Sequence, residues 1–162
     1  MADQIITFVE DTPECAERAH PRGHLTGSGW VLNRGWDKAL LLHHKKLEKW
    51  LQLGGHADGE FDLLGVALRE VCEESGLSHV VPLSPEVFDI DIHSIPPVNG
   101  VPAHLHFDIR FLLTADEEEP ITSNHESKGV LWVPLSEVAA YTSEESVLRM
   151  VRLTAKWRER YA

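Results

Sequence analysis

Glu70, Glu73 and Glu74 are the residues whose types and spacing most directly suggest chemistry. They stand at i, i+3 and i+4, which places three carboxylates on one side of a helix. Like charges at that spacing destabilise even an exposed helix by about 0.2–0.5 kcal/mol, and more when partly buried. Arg69 can offset one charge, and a bound cation would offset the others. The donors are oxygens, so the ion would be hard, Mg²⁺ or Mn²⁺ rather than zinc. Such an ion neutralises a diphosphate and lowers the pKa of a water that attacks phosphorus, while a glutamate at the edge of the cluster takes the proton. On its own the triplet reads better as a solvated, glutamate-rich helix face. The Gly54-Gly55 turn upstream tips the reading toward metal.

Gly55, Arg69, Glu70, Glu73, Glu74, Gly76 and Leu77 fall at fixed spacings. Together they resemble the signature of the Nudix hydrolases: Gly, five residues, Glu, seven residues, Arg-Glu, apolar, any residue, Glu-Glu, any residue, Gly, apolar. The likeness extends to a strand pair before this segment, strands after it, and the Trp132–Leu135 segment. One position departs: the first glutamate slot holds Phe61, with Glu60 one residue early and Asp62 one late. Because the spacing from Gly55 to Arg69 is kept, a loop shorter by one residue would let Glu60 supply that carboxylate.

The resemblance implies an α/β fold, an α/β/α sandwich around a central mixed sheet, as one domain over residues 1–162. It implies Glu70 and Glu74 as main ligands of Mg²⁺ or Mn²⁺. Glu73 would hold a further ion, the Gly54 carbonyl would complete the inner shell, and Glu60 would stand in for the missing glutamate. Arg69 would orient Glu70. The general base would be a glutamate of this helix or of a later loop, where Glu126 is the best candidate; an ordinary loop acid fits Glu126 equally. The expected reaction is attack of a metal-activated water on the diphosphate of a nucleoside diphosphate linked to a group X. Nucleotide sugars, dinucleoside polyphosphates and oxidised nucleoside triphosphates all stay open as substrates. The competing reading is a Nudix-like domain that binds or senses a ligand without turning it over. Phe61 speaks weakly for that, and the intact Arg69-Glu70 and Glu73-Glu74 pairs against it.

Other polar residues group by strand face. His104, His106, Asp108 and Arg110 alternate with Leu105, Phe107, Ile109 and Phe111, and Asp89, Asp91 and His93 alternate with Phe88, Ile90 and Ile92. The polar face is expected to hold the nucleoside or leaving group through His104, His106 and Asp108, with His56 facing substrate after the Gly-Gly turn. A plain hydrogen-bonded sheet face is the simpler alternative. The His-x-His spacing also permits a metal, and a histidine-rich metal-binding protein built on His93, His104 and His106 is a third reading. His43, His44, Lys45, Lys46 and Lys49 read as a solvated basic connection. Cys72, among glutamates, is a poor nucleophile. Thr26-Gly27-Ser28-Gly29 leads into a strand, not the helix a phosphate loop needs. Arg149, Arg152, Arg158 and Arg160 read as the solvated face of the last helix.

The elements that must position these groups are legible in outline. Residues 1–25 read as a short helix or arm broken by Pro13 and Pro21, followed by strands at Thr26–Asn33 and Lys38–His44. The run Leu40-Leu41-Leu42 predicts burial on both faces. A helix spans Asp62–Ser75, with Asp62 as N-cap, Gly76 as stop, and Leu64, Leu68 and Val71 as its apolar stripe. Strands follow at Val87–Ile95, His104–Leu113 and Gly129–Val133, with an acidic loop at Ala115–Lys128 and a terminal helix at Ser143–Arg160.

The chain has 162 residues, 43% of them hydrophobic, enough for one compact core. Its formal net charge of -11 repels a nucleic-acid backbone, so no nucleic-acid partner is expected. The expected partner is a nucleotide-like small molecule, and a homodimer stays open. Two cysteines without CxxC spacing argue against a disulfide scaffold. No signal-type start or membrane-length apolar run is present, so a cytoplasmic location without membrane association is expected.

Overall fold

In the computed structural model, residues 1–161 are described. The order is α1 (Ala2–Asp11), β1 (Gly23–Asn33), β2 (Lys38–His44), β3 (Lys49–Leu51), β4 (Leu53–His56), α2 (Leu63–Ser75), β5 (Val81–Ile95), β6 (His104–Ala115), β7 (Ser127–Pro134), a 3-10 turn at Leu135–Glu137, α3 (Val138–Tyr141) and α4 (Glu145–Tyr161).

Seven strands form one mixed sheet in the order β3-β2-β1-β6-β5, with β4 on β1 and β7 on β2. β1 runs parallel to β6 along its whole length, and the remaining pairs are antiparallel. One edge of β1 is shared. β4 pairs with Thr26–Gly29, and β2 takes over at Leu32. All eleven residues of β1 are buried.

Alternation sends side chains into two cores. Leu25, Val31, Leu40, Leu42, Phe107 and Leu113 meet Ala67 and Val71 of α2 and Ile5 and Phe8 of α1. Trp30, Leu32, Ala39, Leu41 and Leu112 meet Val138, Val147 and Met150 of α3 and α4. The result is the expected α/β/α sandwich, with the leucine run of β2 buried on both sides.

The Asp62 carboxylate accepts a hydrogen bond from the Gly65 amide, and Gly76 ends α2 with φ 73°. Both caps match the sequence reading. Asp62→Ala should cost about 1 kcal/mol, seen as a fall in Tm of about 2–4 °C.

Three expectations are corrected. The deepest residues of α2 include Val66 and Ala67, whereas Leu64 and Leu68 are only partly buried, because the helix lies on the sheet one residue-face around from the expected stripe. A bulge in β5 between Val87 and Asp89 turns Phe88 onto the α4 side, against Trp157. The alternation there is therefore broken. Arg149 is not solvated: it donates to both Asp89 and Asp91 and clamps α4 to β5. Among the described residues no helix is long and apolar enough to cross a membrane.

Candidate functional site

The glutamate helix lies against β4. Glu74, on the last turn of α2, is 8% exposed, and one of its carboxylate oxygens accepts from the Gly54 amide at 3.0 Å. Burial pushes its carboxyl up to about 8, and the charges of Glu70, Glu126 and Glu73 add to the shift against the opposing Gly54 hydrogen bond. Glu70 sits one turn earlier, its carboxylate against Gly55. It too is shifted upward, mainly by burial, while its hydrogen bond from Arg69 works the other way. Arg69 Nη2 reaches Glu70 Oε1 at 3.3 Å and the His56 carbonyl at 3.4 Å, so it ties the helix to β4. Glu73 is exposed on the same side. Among the described residues neither Glu73 nor Glu74 has a cationic partner. This is an oxygen-donor set with an uncompensated buried carboxylate, and it fits a hard dication.

Gly55 is glycine for a steric reason. A Cβ there would overlap the Glu70 carboxylate, which must then swing away. Gly55→Ala should lower any Glu70-dependent activity at least about tenfold. Tm should change little, because the carboxylate is the far end of a flexible chain.

Glu126 reaches the same region from the loop before β7. It is exposed, and its charge acts on Glu70, Glu74 and His56. Glu60 is also exposed, and its carboxylate accepts from the Asp62 amide at 2.8 Å. It is thus engaged in the turn that opens α2, not in a contact with Glu70 or Glu74. Phe61, in the expected glutamate slot, is 61% exposed.

The polar strand face is buried around Asp91, Asp108 and Arg110, and partly open at His93, His104 and His106. Asp108 is 1% exposed, and its carboxylate is saturated. Thr26 and Ser28 donate to one oxygen, and Gln52 and Arg110 to the other. The expected contact between Asp108 and substrate is corrected accordingly: its acceptor capacity is spent on joining β1, β6 and the residue between β3 and β4. Arg110, equally buried, also meets Asp89, Asp91 and the Ser146 carbonyl.

His56 and His106 do come together, with a residue absent from the sequence reading. His24 pairs with His106 across β1 and β6, and His56 pairs with Thr26 beside it. The three rings lie 4.7–5.1 Å apart by centroid. His104 borders them, with Nδ1 on the Pro102 carbonyl, and His93 packs on His106 with Nδ1 on Asp91. Burial, then the neighbouring histidines, lowers His24 to about 4 and His106 to about 2. His24 and His106 are therefore neutral near pH 7. Arg18, bound through two nitrogens to Asp58, completes the rim and feels the charge of Glu70 and Glu126. His24 could have been found by starting β1 at Gly23, since it then shares parity with Thr26, Ser28 and Trp30. Arg18 and Asp58 left no signal in sequence.

A family model described as the NUDIX domain matches residues 24–154. No curated protein matches at a significant level. Similar solved structures include a C. elegans Ap4A hydrolase binary complex (TM-score 0.68, 14% identity, 85% of this chain and 98% of that one). A MutT protein from Methanosarcina mazei Go1 has TM-score 0.66 and 16% identity over 86% and 98%. The E. coli dihydroneopterin triphosphate pyrophosphohydrolase has TM-score 0.61 and 16% identity over 79% and 92%. At these identities the likeness is one of fold.

Proposed function

The chain belongs to the NUDIX domain family, and on that premise we propose that it is a divalent-metal-dependent pyrophosphohydrolase. Its substrate would be a nucleoside diphosphate linked to a further group, cleaved by water at the diphosphate. The observation that carries this reading is the gathering of Glu70 and Glu74 on the Gly54-Gly55 segment, with Arg69 as the one cation bonded to either among the described residues. The names of the similar structures, an Ap4A hydrolase and a dihydroneopterin triphosphate pyrophosphohydrolase, agree with a diphosphate-containing substrate.

Glu70 and Glu74 would hold Mg²⁺ or Mn²⁺, with Glu73 at the exposed edge for a further ion and the Gly54 carbonyl beside them. When bound, the cation neutralises the diphosphate and lowers the pKa of a neighbouring water. The chain's own residues do the rest. Arg69 holds Glu70 in place through its bond to Oε1. Glu126, a solvent-accessible acid facing the cluster, would take the water's proton. His56 and His104, on the far side of β4, would contact the leaving portion of the substrate. Glu60 would enter only if its turn opened, since its carboxylate is engaged locally.

The test is incubation with nucleotide sugars, dinucleoside polyphosphates and oxidised nucleoside triphosphates, each with Mg²⁺ or Mn²⁺, with products separated by chromatography. Cleavage of at least one class is expected. Binding of one class without cleavage would favour a ligand-sensing domain instead, the reading to which the exposed Phe61 lends support.

A further inference from the structure

The two faces of β4 carry different chemistry. Gly55 faces α2 and the Glu70 carboxylate. His56, the next residue, has opposite parity and joins His24 of β1 and His106 of β6. One ligand nitrogen from each of these three histidines can be chosen so that all lie within 4.8 Å of one another. A tetrahedral ion bound by imidazoles needs about 3.3 Å between nitrogens, from metal–nitrogen bonds of about 2.0–2.1 Å. Small side-chain rotations close that gap.

The polar accounting points the same way. His24 is 2% exposed, yet both of its ring nitrogens lack a hydrogen-bond partner, as does the buried Nε2 of His106. A neutral imidazole carries one N–H and one lone pair, and shielding either without a partner is costly. Shielded nitrogens of His24 and His106, with a nitrogen of His56 in reach of both, are what a metal satisfies. His104, with Nδ1 on the Pro102 carbonyl, and His93, with Nδ1 on the Asp91 carboxylate, border the three rings but do not belong to the group whose nitrogens lie within 4.8 Å of one another.

We propose that His24, His56 and His106 form a transition-metal site, with Zn²⁺ as its probe, separate from the glutamate cluster on the opposite face of β4. Imidazole donors suit Zn²⁺ and its neighbours in the first transition row, and Mg²⁺ prefers oxygen. Three protein ligands leave one position of a tetrahedral ion for water or a ligand atom. Bound metal would cross-link β1, β4 and β6. None of its ligands is a glutamate of α2, so metal binding here can be tested apart from the hydrolase reading, which shares only His56 with it.

The test uses metal-free full-length protein in excess Mg²⁺, titrated with Zn²⁺ against a chromophoric chelator. Co²⁺ is added in parallel and its visible absorption recorded. One equivalent of Zn²⁺ and the intense visible bands of tetrahedral Co²⁺ are expected. Both should persist in a Glu70→Gln/Glu74→Gln variant and in His104→Ala. Zn²⁺ affinity should fall at least 100-fold in His56→Asn, a partly exposed position, and likewise in His106→Asn. Circular dichroism of the metal-free variants verifies folding, and His56→Asn alone decides the matter if His106→Asn does not fold. Absence of Zn²⁺ binding in the wild type would overturn the proposal. So would binding that follows Glu70 and Glu74, or binding that survives His56→Asn in a folded protein.

Discussion

Glu74→Gln is expected to reduce metal-dependent diphosphate cleavage by at least about 100-fold while making the metal-free protein more stable at neutral pH. The first effect follows from removing a charge that a dication would need. Even groups one shell further out typically change metal affinity or activity 10–100-fold. The second follows from burial. In the folded protein the Glu74 carboxyl is raised from an ordinary 4.5 to about 8, so the folded state holds a proton that the unfolded chain releases. Its contribution to stability is complete below about pH 4.5 and is lost as pH rises through about 8. Glutamine has no such loss. Thermal melts of the metal-free wild type and variant should therefore converge near pH 4.5 and diverge by a few kcal/mol toward pH 8. Adding Mn²⁺ should raise the wild-type Tm increasingly over the same interval, because binding must displace that proton. The variant should respond far less. Parallel melts of the two proteins at all pH values would contradict this assignment of Glu74.

The second large effect concerns Arg110. Its guanidinium is 1% exposed and meets Asp108, Asp89 and Asp91 on the buried face under α4. Arg110→Met keeps the volume but leaves these carboxylates short of charge. Arg149 still holds Asp89 and Asp91, and among the described residues Asp108 pairs with no cation besides Arg110. Removing one partner of a buried ion pair costs about 3–5 kcal/mol. For a chain of this size that is a fall in Tm of roughly 10 °C, measurable by calorimetry. Adding Asp108→Asn should recover part of the loss, since it removes the stranded charge. In the double variant the side-chain carbonyl oxygen at position 108 keeps the bonds from Thr26 and Ser28, but the bond from the Gln52 amide nitrogen is lost. A single variant within 1 kcal/mol of the wild type would show that this network does not hold β1, β6 and α4 together.

Much of the arrangement was readable without coordinates because it depends on local rules. The caps of α2 follow from Asp62 and Gly76, one a side-chain acceptor and the other free to adopt positive φ. The two-sided burial of β2 follows from an unbroken leucine run. The placement of Glu70 and Glu74 beside Gly54 and Gly55 is implied by the resemblance of this segment to the Nudix signature. What the sequence concealed depends on tertiary register. His24 joins His56 and His106 only because β1 begins at Gly23 and runs parallel to β6, whereas the sequence reading starts this strand at Thr26. Phe88 changes face at a bulge that no alternation pattern announces. Arg149 and Asp108 looked like accessible polar groups, and docking of α4 turns both into interior links.

The central claim is that the α2 glutamates serve water attack on a diphosphate. It is tested most directly by running the reaction in ¹⁸O-labelled water with Mg²⁺ or Mn²⁺ and weighing the phosphorylated products. The account predicts one ¹⁸O in one of the two products of each cleaved diphosphate, with turnover abolished by chelator and restored by added metal. Turnover that persists in chelator, or metal-loaded protein that leaves every diphosphate intact, would contradict it.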